Sequence, residues 1–160
     1  PDGRVQWSCR RFPRWHYLLF EMLRLSKVFP RSKLFNGWKM GDFDHNTTCE
    51  VEQPLGGALF VRRRAWEDVG LWDEDMWLYF SDVDFCLRLF KYGWKLFFVS
   101  SACAKHSLGE STYRFRRRAY VYAKDLLCYL KKHKGGVGLY LFAPLIILSA
   151  WRDVLKGGWK

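Results

Sequence analysis

The stretch that decides the fold runs from Gln53 to Lys95 and reads QPLGGALFVRRRAWEDVGLWDEDMWLYFSDVDFCLRLFKYGWK. A glycine pair opens an apolar run, an arginine triplet follows it, and two acidic clusters come next. The pattern predicts, in chain order, a strand over 54–61 buried on both faces, a helix over 64–69 closed by Gly70, a strand end over 77–80, and a helix over 82–92 closed by Gly93. Strands that alternate with helices indicate an α/β fold.

Asp82 lies where the aromatic strand end is expected to turn into the second helix. A carboxylate held at such a junction is where an enzyme would keep a base, although Ser81 or Asp82 is also a good N-cap. Asp84 diverges from Asp82 by about 200° around a helix. It lies four residues before Arg88, which is the spacing of an ordinary surface ion pair. The two carboxylates therefore cannot both face one ligand.

The flanking sequence extends the same pattern. An apolar stripe predicts a helix over 14–28, ended by Pro30, and a polar loop is expected over 31–52. Beyond Gly93 we expect a buried strand over 94–99, a loop over 101–111 and a basic, tyrosine-rich helix over 112–132. At 160 residues the chain is one domain by length.

The net charge of +11 is unevenly distributed along the chain. Residues 1–40 and 105–134 each carry +7, whereas residues 41–104 carry −5. An acidic centre between basic flanks is typical of an active site beside a polyanion such as a lipid headgroup, a diphosphate or a nucleic acid. Five cysteines without a Cys-x-x-Cys pair favour reduced thiols in a cytosolic setting.

Residues 135–151 form seventeen consecutive residues without a charge, flanked by Lys and Arg. A spanning helix needs about 20 apolar residues, and this stretch contains three glycines and Pro144. A helix on or partly in the membrane surface, a buried core helix and a true span all remain open. Membrane contact is the reading that we favour, because the flanking cations can lie at headgroups.

The string from Gln53 to Ser111 resembles the acceptor half of inverting family 2 glycosyltransferases, especially rhamnosyltransferase-like members. In these, a small-residue turn, a Val-Arg-Arg strand, a Gly-x-x-Asp-Glu turn and an acidic-Asp-x-Asp helix start follow one another. The resemblance implies the C-terminal part of a GT-A-type, Rossmann-like fold, with the helical membrane-associating tail after it. We expect an acceptor-side α/β part over 1–111 and a basic helix with apolar tail over 112–160. The chain alone is expected to be inactive.

The resemblance also implies roles for single residues. Asp82 aligns with the catalytic base, although Ser81 stands where a second acidic residue is common. Acceptor binding is implied for Gly56, Gly57, Asp73 and Glu74, which could otherwise be turn-forming or turn-capping residues. A lipid diphosphate could bind Arg116, Arg117 and Arg118, which could otherwise be a solvated face.

A divalent metal, Mg²⁺ or Mn²⁺, is implied as the cofactor, held mostly by a preceding N-terminal half. His106 could ligate it, or could be a structural hydrogen-bonding residue. The family's metal-binding Asp-x-Asp belongs to that preceding half. We do not assign this role to Asp42 and Asp44, which lie in a polar loop without a strand before them.

The function expected is transfer of a sugar, with rhamnose a candidate, from a nucleotide sugar to a saccharide or lipid-linked acceptor in cell-surface polysaccharide synthesis. The enzyme would lie in the cytoplasm, peripherally on the inner face of the membrane. An isoelectric point near 9.6 leaves a nucleic-acid-binding module as an alternative, but no such motif is found and the acidic centre would repel phosphates, so no nucleic-acid partner is expected. A non-catalytic membrane-binding domain is a further alternative.

Overall fold

The computed structural model describes residues 5–105 and 117–155, apart from the side chains of residues 153 and 155. The described chain divides into two compact units. Unit 1 holds the described residues up to Trp72 and those from Asp82 to 105, and unit 2 holds residues 73–81 and 117–155. Unit 1 mixes helices with short strands, so the predicted α/β class is confirmed.

The strands of unit 1 form two short antiparallel ladders. Strand β1 (Cys9–Arg10) pairs with β3 (Gln53–Pro54), and β2 (Cys49–Glu50) pairs with β4 (Phe97–Phe98). The Leu55 amide donates to the Ser8 carbonyl at 2.8 Å and continues the first ladder. The polar loop expected over 31–52 therefore ends in a strand.

The helix predicted over 14–28 is interrupted. Helix α1 (Trp15–Met22) ends before Arg24, whose φ of 58° lies in the left-handed region, and α2 (Leu25–Val28) follows it. A left-handed residue cannot continue a right-handed helix. Pro30 follows the second helix as expected.

The predicted strand over 54–61 is wrong. Within this range only Pro54 belongs to a strand, the Leu55 amide adds one bond to that ladder, and Gly56–Ala58 form one turn of 3₁₀ helix. Phe60 is 98% exposed, so the apolar run is not buried on both faces. The glycine pair bends the backbone before the run can extend a ladder, because glycine disfavours a strand interior.

The two helices that follow are confirmed. Helix α3 (Arg63–Val69) ends at Gly70 with φ 79°, and α4 (Ser81–Tyr92) ends at Gly93 with φ 96°. Glycine adopts such positive φ angles without steric cost. The buried strand expected over 94–99 shortens to β4, and Phe97 in it is exposed.

An aromatic cluster packs α4 against α3 in unit 1. The ring of Phe85 lies 4.9 Å from that of Trp72, stacked, and 5.0 Å from that of Trp66. Phe85 and its neighbour Cys86 are fully buried. These contacts orient α4 so that its first turn faces the β3 segment.

Unit 2 is a helical hairpin preceded by the segment 73–81. Helix α5 (Arg118–His133) and helix α6 (Gly136–Leu155) pack together around Leu126, Tyr129, Leu130 and Ile146, all buried. Gly135 and Gly136, with φ 48° and 64°, make the turn between them. The helix predicted over 112–132 is confirmed from Arg118 onward, and residues 112–116 lie outside the described part of the chain.

The strand end predicted over 77–80 is wrong. These residues form bends rather than a strand, and the Leu78 and Tyr79 amides donate to the buried Asp125 carboxylate instead of to another strand. Phe80 has φ 63°, in the left-handed region. Asp82 therefore follows a bend, not a strand.

Many apolar side chains of α6 are exposed, including Val137, Tyr140, Leu148 and Trp151. None of the helices in residues 5–105 and 117–155 is long and apolar enough to cross a membrane. All five cysteines are free thiols.

Candidate active site

The Asp82 carboxylate lies in the first turn of α4 and is half-buried. Its Oδ1 accepts the Val83 amide at 2.9 Å. Its Oδ2 accepts the Gly56 amide at 2.9 Å and the Gln53 side-chain amide at 3.3 Å. Both oxygens are therefore oriented by neutral donors, and no cation forms an ion pair with them among the described residues.

Local sequence explains this arrangement. Gln53 is 1% exposed in β3, and its Nε2 also donates to the Pro54 carbonyl at 2.9 Å, which fixes the side chain. A Cβ on Gly56 would lie 3.1 Å from the Asp82 Cβ and 3.5 Å from its Oδ2. The missing side chain at Gly56 is thus what allows the backbone to approach the carboxylate this closely.

Burial raises the pKa of Asp82 above its ordinary value. The amide hydrogen bonds from Gly56 and Val83, and the charge of Arg10, oppose this effect without cancelling it. A carboxylate with a raised pKa is a stronger base than an exposed one. The arrangement can accept a proton from a hydroxyl group held beside it.

Asp84 faces a different part of unit 1, as the helical spacing predicts. It is 0% exposed, and the Arg88 Nε donates to its Oδ2 at 2.8 Å. The Arg88 guanidinium also donates to the carbonyls of Val69 and Leu71 at the end of α3. The pair is therefore not the surface pair that spacing predicts but a buried clamp between α4 and α3.

Cys86 lies one helical turn after Asp82, with its Sγ 3.9 Å from the Pro54 carbonyl oxygen. Burial, followed by the charge of Asp82, raises the pKa of its thiol to about 12. The thiol therefore stays protonated, and a thiolate nucleophile at this position is excluded.

The predicted acceptor-binding residues are divided between the units. Gly56 contacts Asp82, and Gly57 follows it in the same 3₁₀ turn, exposed. Asp73 and Glu74 belong to unit 2. There Asp73 accepts the Asp75 amide at 3.0 Å and pairs with Lys132, while Glu74 is exposed. Asp73 thus makes the turn-capping contact that the sequence left open.

The predicted lipid-diphosphate ligands differ in exposure. Arg117 is exposed, whereas Arg118 is only 6% exposed, and their binding of a lipid diphosphate stays a prediction. Arg116 lies outside the described residues, as does His106, the predicted metal ligand.

Asp42 and Asp44 are used structurally. The Arg11 guanidinium binds both oxygens of Asp42 at 3.2 Å, and Asp44 accepts the Asn46 amide at 2.9 Å. Within residues 5–105 and 117–155 no three His, Cys, Asp or Glu side chains come together in a way that could hold a metal ion. The described residues thus do not supply the divalent metal site that the resemblance implies.

Sequence reasoning missed Gln53 as a partner of Asp82. The signal available was weak: a polar residue directly before a proline and a glycine pair, in an otherwise apolar stretch. It also missed Asp125, which carries no motif.

Comparison with known proteins shows the family to which the chain belongs. A family model described as "Glycosyl transferase family group 2" matches residues 7–153, and the chain belongs to that family. It is similar to the N-acetylglucosaminyl-diphospho-decaprenol L-rhamnosyltransferase of Mycobacterium tuberculosis, in strains CDC 1551 / Oshkosh and ATCC 25618 / H37Rv. Each is 32% identical over 124 residues, covering 71% of this chain.

The matched part is 36% of the length of each of these relatives, so the chain spans about a third of them. No solved structure gives a significant match. The predicted kinship with family 2 glycosyltransferases of the rhamnosyltransferase kind is confirmed.

Proposed function

We propose that this chain is the acceptor side of an inverting glycosyltransferase and that Asp82 is its general base. The observation that carries the proposal is the Asp82 carboxylate, bound by the Gly56 and Val83 amides and with its pKa raised by burial. Family membership supplies the reaction class. Geometry and pKa together make Asp82 the best candidate base among the described residues.

In the proposed reaction, an acceptor hydroxyl lies within hydrogen-bond reach of the Asp82 carboxylate. As the hydroxyl oxygen attacks the anomeric carbon of a nucleotide sugar, its proton moves to the carboxylate. The glycosidic bond forms on the face opposite the departing nucleoside diphosphate, so the anomeric configuration inverts. Gly56 and Gln53 hold the carboxylate in place during proton transfer.

A divalent metal would supply charge stabilisation for the departing diphosphate. The described residues do not form a metal site, and His106 is a proposed ligand. Gly57, Asp73 and Glu74 stay proposed acceptor contacts, although Asp73 is already engaged by Lys132.

The acceptor is proposed to be a lipid-linked saccharide and the donor a nucleotide-activated sugar such as rhamnose. The support is that the mycobacterial relatives are L-rhamnosyltransferases named for an N-acetylglucosaminyl-diphospho-decaprenol substrate. The exposed apolar side chains of α6, with exposed Lys131 and Lys134 on the hairpin, support a peripheral position at the inner membrane surface.

The experiment compares Asp82→Asn with Asp84→Asn. Both substitutions are made in the longest polypeptide that contains this chain. Single-turnover transfer is measured at saturating donor and acceptor, with the melting temperature of each variant. Asp82→Asn is expected to fold, to bind donor and to lose about 10²–10⁴-fold in rate, the usual effect of removing a positioned base. Asp84→Asn should melt earlier but transfer normally at a temperature where it is folded.

Wild-type turnover by Asp82→Asn would refute the assignment of the base. If Asp84→Asn were at the same time folded and inactive, the roles of the two carboxylates would be reversed. Analysis of the anomeric configuration of the product separately tests inversion.

A further inference from the structure

Asp125 is a fully buried carboxylate, 0% exposed, in the middle of α5. Its Oδ2 accepts the amides of Leu78 at 3.0 Å and Tyr79 at 2.9 Å. In a strand these two successive amides would point to opposite sides, so a shared acceptor is typical of a turn. Asp125 thus satisfies two backbone donors of this segment with one oxygen atom, because amides withdrawn from water need acceptors.

Other side chains on the same face of α5 hold the same segment. The Tyr122 ring lies 5.3 Å from that of Tyr79 and 5.2 Å from that of Phe80. The Tyr129 ring lies 5.8 Å from that of Phe80, and Lys132 pairs with Asp73. Positions 122, 125, 129 and 132 are three or four residues apart, the spacing of one helical stripe.

The segment ends in a backbone conformation that needs support. Phe80 has φ 63°, which is unfavourable for a residue with a bulky side chain, and α4 begins at the next residue. Such conformations persist where the surrounding structure determines them, and they cluster at functional sites. Phe80 is two residues before Asp82 in the chain.

We propose that Asp125 is a positioning residue for sugar transfer: by binding the Leu78 and Tyr79 amides, it fixes the left-handed turn at Phe80 from which the first turn of α4 and the Asp82 carboxylate extend. The inference rests on the proposed function of Asp82. It assigns the basic helix a role in setting the geometry of the base, separate from membrane binding.

The test uses Asp125→Ala, which removes the acceptor, and Asp125→Asn, whose amide oxygen can still accept both amides. Ile146→Ala is the matched control, because Ile146 is buried in α6 of the same unit and its truncation destabilises the hairpin without removing that acceptor. Hydrogen exchange of the Leu78 and Tyr79 amides is measured in the 160-residue chain. Single-turnover rates and donor KM are measured in the longest polypeptide that contains it.

For Asp125→Ala we expect the two amides to lose protection and the rate to fall about 10²-fold, the usual cost of a misplacement near 1 Å, with donor KM unchanged. Asp125→Asn should keep protection and stay within about 10-fold of wild type, since it loses charge but keeps the contacts. Ile146→Ala should melt earlier with a wild-type rate while folded.

Loss of amide protection in Asp125→Ala with a wild-type rate would overturn the inference and leave the role of Asp82 intact. An equal loss of rate in Ile146→Ala and Asp125→Ala at matched melting temperatures would also overturn it, because stability alone would then explain the effect. A wild-type rate in Asp82→Asn would instead refute the proposed function itself.

Discussion

The Arg88 guanidinium binds the buried Asp84 carboxylate at 2.8 Å and, with its remaining nitrogens, the carbonyls of Val69, the last residue of α3, and of Leu71. Helix C-termini leave carbonyls without helical partners, and a cation placed there satisfies them. Asp84 neutralises that cation from one turn away on α4. A single ion pair therefore joins two helices and caps one of them.

We predict that Asp84→Ala lowers the free energy of unfolding by about 1.5–3 kcal/mol, the range for a hydrogen bond to a charged group. The upper values for fully buried pairs do not apply, because Arg88 is partly exposed and keeps its carbonyl partners. Urea unfolding measures the change. Glu67→Gln is the control, since its pair with Arg63 has the same spacing but is exposed and should contribute only about 0.3–0.5 kcal/mol. An equal loss of unfolding free energy in both variants would contradict a stabilising role of the buried Asp84–Arg88 pair.

Gly56→Ala is predicted to impair transfer more than stability. The added Cβ would lie 3.1 Å from the Asp82 Cβ, so the carboxylate must move by a few tenths of an ångström. A small displacement of a base lowers rate steeply, by about 10-fold or more. Single-turnover kinetics at saturating acceptor and the melting temperature are compared with those of wild type. A wild-type rate in Gly56→Ala would show that the close approach has no role in catalysis.

The raised pKa of Asp82 predicts how stability changes with pH. A carboxyl group with a raised folded pKa binds its proton more tightly in the folded state than in the unfolded state. Its contribution to stability is therefore present below the unfolded pKa and is lost as pH rises through the folded pKa. Urea unfolding of wild type and Asp82→Asn from about pH 4 to about pH 7 should show wild type losing stability relative to the variant. A wild type that instead gains stability relative to Asp82→Asn as pH rises would contradict the burial effect.

Binding to anionic vesicles is predicted to depend on the exposed cations of the hairpin. Replacing Arg117, Lys131 and Lys134 by Gln should weaken co-sedimentation, at about 1 kcal/mol per charge near the surface. The control replaces Arg62, Arg63 and Arg64, which are exposed in unit 1, so that the same number of charges is removed. Equal weakening by both triple variants would indicate nonspecific attraction, and salt-independent binding would rule out an electrostatic contribution.

The sequence predicted the helices α3 and α4 because their signals are local. A helical pattern that ends at Gly70 or Gly93 can be recognised from neighbouring residues alone. The divergence of Asp82 from Asp84 follows from helical geometry. The family resemblance placed Gly56 and Asp82 in the same site, but the sequence did not predict the contact between them.

The errors fall where distant residues decide the conformation. Residues 77–80 read as a strand because they are aromatic, but the acceptor for their amides is Asp125, which lies in another helix. Asp84 was expected in a surface pair because its spacing to Arg88 is visible in the sequence, whereas the bonds of Arg88 to the Val69 and Leu71 carbonyls are not. Burial and long-range partners cannot be read from periodicity alone.

The antiparallel pairing of β1 with β3 also decides when the site can assemble. Cys9 pairs with Pro54 across about 45 residues, and Gln53 reaches Asp82 only when that ladder has formed. Closing so long a loop is slow compared with forming the α5–α6 hairpin, whose helices are neighbours in the chain. We expect a folding intermediate in which the hairpin is formed while the carboxylate is still unbound, so that catalytic competence is acquired in the last kinetic phase of folding.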